Sequence, residues 1–196
     1  MKNVRLTTER LVVRDLPPAA AASVARFHSE NWSFHRPWEP HRRPEHFTAR
    51  TQRRILRIER RSPTALHLWL LLPGARQGGR GWRRAAIIGS VTLSAVVRGF
   101  FQSCYLGYKM DARYVRNGYM REALEAVVQH AFGRMGLHRL EANVMPRNEP
   151  SLALLRSLGF QEEGYGREYL KIQGVWEDHI HMVLVDRDSG KYPVRP

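Results

Sequence analysis

The chain is short of three things: cysteine, long apolar runs and acid to set against its base. Its single cysteine, Cys104, lies in the apolar stretch FFQSCYLGY. One cysteine excludes an internal disulfide and suits a reducing compartment. With no basic neighbour in sequence to stabilise a thiolate, Cys104 reads as a buried structural thiol. No stretch approaches the roughly 18 uninterrupted apolar residues of a membrane helix. The opening MKNVRLTTERLVV alternates charge with apolar residues where a signal peptide would carry an apolar block. A cytoplasmic protein with no membrane attachment is expected. Only 18 acidic residues face 32 lysines and arginines, a formal charge of +14, so the surface attracts polyanions. Charge alone does not choose among RNA, ribosomes and phosphate-bearing cofactors.

What is present suffices for one core. With 196 residues, 43% of them hydrophobic, a single domain over 1–196 is expected, the chain being short for two. Val4, Leu6, Leu11 and Val13 bracket a polar turn and read as one opening strand, ended by Pro17 and Pro18. A helix over 19–29 follows, then the aromatic loop NWSFHRPWEPH and a helix over 44–61 whose basic residues form a solvated face. TALHLWLLL and AAIIGSVTLSAVV are strands, and PGARQGGRGWRR between them has the composition of a mobile hairpin loop. FFQSCYLGYKM is a further strand, after which Leu124, Val127, Val128, Ala131 and Met135 mark one face of a helix over 119–135. A strand HRLEANVM, a helix over 149–157 closed by Gly159, and two strands about a Gln173-Gly174 turn complete the set. The tail after Asp186 reads as loosely held. This order implies an α+β protein whose mixed sheet carries helices on both faces.

The chemistry concentrates where the strand ending at Met110 meets the helix from Tyr119. The linking DARYVRNGYMREAL is basic, and Gly118 stands at the helix entry, where free N–H groups and a positive dipole end suit a pyrophosphate. It matches neither the Gly-Lys-Ser/Thr phosphate loop nor the G-x-G-x-x-G fingerprint. Downstream, in VMPRNEPSLALLRSLGF, a strand ends, Asn148 opens a helix in N-cap position and Ser151 lies in the first turn.

Together these two stretches resemble the GNAT superfamily of N-acetyltransferases. RLTTERLVVR, FHRPWEP, IIGSVTLSAVVRGFFQSCYLGY, ANVMPRNEPS and GFQEEGYGREYLKIQGVWEDH look like its ribosomal-protein-alanine branch, across nearly the whole chain. The resemblance implies the acyl-CoA N-acyltransferase fold, a twisted mixed sheet of about seven strands split beside acetyl-CoA, and direct attack of an amine on the thioester. The family's loop Q/R-x-x-G-x-G/A aligns with Val115, Arg116, Asn117, Gly118, Tyr119 and Met120. Both ends depart from it: valine removes a side-chain contact and methionine limits close approach, while the backbone donors remain.

By the same resemblance, the backbone at Tyr108 and Met110 pairs with the pantetheine arm, and N–H groups there meet the oxyanion. Arg116 and Arg121, ahead of Arg113, are the preferred phosphate contacts. Asn148 faces the pantetheine, Ser151 donates a proton to the leaving thiolate and Glu168 is the carboxylate base. Trp38 and Glu39 lie in a loop that covers the acceptor pocket. The acceptor implied is a protein N-terminus, the N-terminal alanine of a small-subunit ribosomal protein. Such an α-amine, with a pKa of about 7.7–8.0, asks little of a base. A small amine, an antibiotic or a lysine is the alternative acceptor, and a basic RNA- or ribosome-binding module with a vestigial cofactor site is the rival from another class. Ribosome or RNA association through the basic surface is also expected, as monomer or dimer. His179 and His181 lack a third ligand at diagnostic spacing, so no metal is expected.

Overall fold

The computed structural model describes residues 4–74 and 85–187. Residues 75–84 of the Gly/Arg-rich stretch and most of the tail, the two segments read above as mobile and loosely held, lie outside the described residues.

The opening segment forms two strands, β1 (Arg5–Thr7) and β2 (Val12–Arg14), where one was expected. Thr8 makes the difference: its N–H and hydroxyl both reach the Leu11 carbonyl, closing a turn that folds the segment back on itself. The sheet therefore has eight strands among the described residues, in the order β1-β2-β3-β4-β5-β6-β8-β7. The others are β3 (Leu66–Leu72), β4 (Ala86–Val97), β5 (Ser103–Met110), β6 (Arg139–Val144), β7 (Gln161–Ile172) and β8 (Val175–Val185).

The helices are α1 (Ala21–Glu30), α2 (Trp32–His35), α3 (Ala49–Glu59), α4 (Tyr119–Gln129) and α5 (Glu149–Ser157). The expected helix over 44–61 is interrupted, because Thr48 turns extended so that its hydroxyl can accept the Thr51 N–H. Residues 44–47 form a separate 3₁₀ turn. Likewise α4 gives way at its end to a wider π turn, His130–Arg134. The short α2 lies within the expected loop.

β3 shows why helices cover both faces. Its apolar run, broken only by His67, is the pattern of a strand buried on both sides. Leu66, Leu68 and Leu70 join Leu124, Val127, Leu152 and Leu155 of α4 and α5 in one buried cluster. Trp69 and Leu71 join Val24 and Phe27 of α1 and Leu56 of α3 in the other. Cys104 is buried in the first, and burial pushes its thiol up to about 12, which keeps it inert.

One pairing in the sheet is parallel, and it is brief. β5 and β6 are in register only at Ser103, Cys104 and Tyr105 against Arg139, Leu140 and Glu141. Beyond Tyr105 the β6-facing edge of β5 runs on to Met110 with no strand partner. The sheet opens there.

Candidate active site

The opening is a cleft of about 620 Å³. Two walls bound it. On one side stand the end of β5, the 115–118 loop and the first turns of α4 and α5; on the other, Phe34, His35, Trp38 and Glu39.

The loop is shaped by backbone. Arg116 and Gly118 both take left-handed φ, +63° and +77°, and Gly118 is the N-cap of α4. A side chain at 118 would be strained by that φ, and its Cβ would come 3.3 Å from Arg10 Nη2. The helix thus begins with bare N–H groups toward the cleft, a ready anion site.

Arg10, which sequence reasoning passed over, braces this entry. Its Nη1 donates to the Asn117 carbonyl at 3.0 Å and its Nε to Glu122 at 2.7 Å, while the guanidinium lies 4.5 Å from the Tyr119 ring centre. Thr8 and the Arg10 N–H also donate to Glu122. The opening hairpin therefore holds the first turn of α4.

Of the expected phosphate contacts, Arg116 and Arg121 line the cleft, with Arg121 paired to Glu125 at 3.0 Å. Arg113 is occupied instead: it bonds both oxygens of buried Asp111 and reaches Glu30. Burial works to raise the Asp111 carboxyl, but these Arg113 bonds hold it below its ordinary value. Asn117 does not line the cleft, its amide folding back onto the Val115 carbonyl.

Asn148 caps α5, accepting the Ser151 N–H, and both residues face the cleft. Ser151 Oγ lies 2.6 Å from Tyr108 OH. The Tyr108 side chain is thus half of a hydroxyl pair. Burial pushes its phenol up to about 12, the Ser151 bond pulling the other way, so it keeps its proton at neutral pH.

The opposite wall is knit by side chains. Lys109 Nζ lies 2.5 Å from Glu39 Oε1, and Arg42 reaches the other oxygen at 3.4 Å. Burial would raise the Glu39 carboxyl, yet Lys109 and Arg42 hold it below its usual value. The His35 ring donates from Nε2 to the Met110 carbonyl at 2.7 Å. Burial lowers its pKa, so the imidazole stays neutral. Gln173, on the β7–β8 turn, donates to the Glu39 carbonyl at 2.8 Å. Arg147 bonds Glu177 at 2.5 Å and sits 5.6 Å from the Trp38 ring centre.

Glu168 is not on the cleft wall. It is exposed, in a bulge of β7 with φ +47°, and its N–H donates to Asp178. His179 and His181 are held by the Glu177 carbonyl and Asn143. Among the described residues no three His, Cys, Asp or Glu side chains converge as metal ligands, and no helix is long and apolar enough to cross a membrane.

An opened mixed sheet with a helix N-terminus at its split defines an acyl-transfer fold. Residues 10–161 match the acetyltransferase (GNAT) domain model, and the chain belongs to that family of acetyltransferases. Among its relatives is the ribosomal protein uS5-alanine N-acetyltransferase of Escherichia coli, 38% identical over 94% of this chain and 92% of that protein. The crystal structure of ribosomal-protein-S5-alanine acetyltransferase from Vibrio fischeri superposes with a TM-score of 0.82, at 31% identity over 94% of this chain and 98% of that one. Mycobacterium smegmatis RimJ, in complex with CoA-disulfide, gives the same TM-score at 26% identity, over 98% and 92%.

Proposed function

We propose that the chain transfers an acetyl group from acetyl-CoA to the N-terminal α-amine of a ribosomal protein, with an alanine of a small-subunit protein as acceptor. The observation that carries this is the single cleft joining the Gly118 helix entry to Trp38 and Glu39. The relatives named above supply the acceptor and the CoA.

The residues fit acetyl-CoA, which supplies an acetyl thioester. The 115–120 backbone and Arg116 hold the pyrophosphate, the free edge of β5 holds the pantetheine, and Asn148 faces that arm. Tyr108 and Ser151 keep a proton at their paired oxygens for the departing thiolate. Glu39, already paired with Lys109, is a poor base; it orders the wall and its charge faces the incoming ammonium. Glu168, outside the wall, serves the amine through water. The α-amine is already about a tenth neutral at pH 7, so no strong base is needed. The cleft lies in a cytoplasmic enzyme by this reading.

The test is acetyl transfer to a panel of N-terminal peptides, with free lysine and drug amines as controls. Alanine-led peptides from small-subunit proteins should react at least about tenfold faster in kcat/KM. Equal rates on lysine or drug amines overturn the acceptor assignment.

A further inference from the structure

The charge excess has an address. Arg50, Arg53, Arg54 and Arg57 of α3 are all exposed, and none forms an ion pair with a described carboxylate. By comparison, Arg10, Arg113, Arg121, Arg139, Arg147 and Arg156, on other elements, each meet an acid. At 3.6 residues per turn the four fall within about 100° of arc and along about 10 Å of helix. Exposed Arg61 follows just past the helix end.

Four like charges on one helix face repel one another, so the arrangement costs stability and gains nothing internally. A line of guanidinium groups is complementary to a polynucleotide strand, whose phosphates recur every few ångströms and accept paired N–H donors. A membrane fits less well. An interfacial helix needs an apolar face to insert, and here Leu56 is buried against the sheet while only Ile58 stands exposed beside the stripe.

We infer that the α3 arginine stripe is a docking surface for the phosphate backbone of structured RNA. It rests on the ribosomal acceptor reading, which sets RNA beside the enzyme, but its chemistry is separate from acetyl transfer. α3 packs on α1 and contributes no residue to the cleft wall.

The test is binding of a labelled RNA hairpin, by anisotropy, between about 50 and 200 mM salt. The protein is compared with a variant carrying Arg50→Gln, Arg53→Gln, Arg54→Gln and Arg57→Gln. A second variant removes the same charge from Arg5, Arg134, Arg156 and Arg187, all exposed outside α3. The stripe variant should lose at least about tenfold in affinity and about three to four units of log–log salt slope, near one per contact. The second variant should lose far less. Equal losses in both variants, unchanged binding in the first, or capture of phosphatidylglycerol vesicles in place of the hairpin overturns the proposal. Turnover on a short alanine-led peptide is measured alongside, and should be the same in all three. Absence of that turnover in the unmodified protein refutes the acceptor reading alone and leaves the RNA result standing.

Discussion

The two walls of the cleft are made by different means. The wall proposed for the cofactor comes from short, local stretches, 108–121 and 148–151, and presents chiefly backbone: a left-handed Gly118, bare N–H groups and a strand edge. The wall proposed for the acceptor is assembled by side chains from remote parts of the chain. Gln173 reaches Glu39 across 134 positions, and Lys109 reaches it across 70. Backbone geometry serves an invariant phosphate and amide arm, whereas long-range side-chain ties allow the acceptor wall to be shaped separately. If this contrast holds, damage to the first wall should cost more, and in more readily separated parameters.

The largest effect is expected at Tyr108. Tyr108→Phe removes one member of the 2.6 Å hydroxyl pair but leaves the ring packed. A lost proton donor should lower kcat by about a hundredfold with acetyl-CoA affinity within about threefold. The pH profile gives a second reading. Because burial holds the phenol near 12, kcat/KM should rise as the amine loses its proton near about 8 and stay level to pH 10. An unchanged kcat in Tyr108→Phe makes the pair structural and erases the difference between the walls.

Arg10 tests whether the cofactor wall works through backbone. Arg10→Ala frees the Asn117 carbonyl and the Tyr119 face, so the loop should lose its preset shape. KM for acetyl-CoA should rise about tenfold with kcat little altered, the loss of a charge-assisted bond of about 1.5 kcal/mol. Turnover of S-acetylpantetheine, which has no pyrophosphate, should match that of the unmodified enzyme. An equal loss on both substrates would show that Arg10 supports the fold rather than the phosphate site.

The same contrast explains what could be read from the sequence. Strand and helix order, the Gln173-Gly174 turn, the Gly118 helix entry and the Asn148 cap follow from local patterns, whereas the cleft-facing places of Asn148 and Ser151 come from the family resemblance. Gln173 and Gly174, with φ of +47° and +90°, suit a two-residue hairpin, and Asn148 is the N-cap. The α2 helix was not legible. It is fixed by buried Asn31, which accepts the Ala112 N–H, and by buried His35, which binds the Met110 carbonyl. No periodicity records such ties. Arg10 was missed for the same reason, being polar at a turn and defined only by Glu122 and Asn117. The Tyr108 hydroxyl pair likewise depends on α5 swinging Ser151 back against β5.

The smallest effect is expected at Glu168, which lies outside the acceptor wall. Glu168 is exposed on the bulge of β7, and its backbone N–H, not its carboxylate, is what Asp178 holds. A carboxylate so placed can order water near an amine. The amine needs little of it, since a pKa of about 7.7–8.0 leaves a reactive fraction at neutral pH. Glu168→Gln should therefore lower kcat by no more than about threefold, mostly below pH 8 where the protonated amine dominates, with acetyl-CoA affinity unchanged. Turnover measured from pH 6 to 9 separates the outcomes. A loss of about a hundredfold at every pH would bring Glu168 to the amine directly and make the acceptor wall as pre-shaped as its partner. Identical profiles for the two proteins would remove Glu168 from the reaction and leave the proton to bulk water.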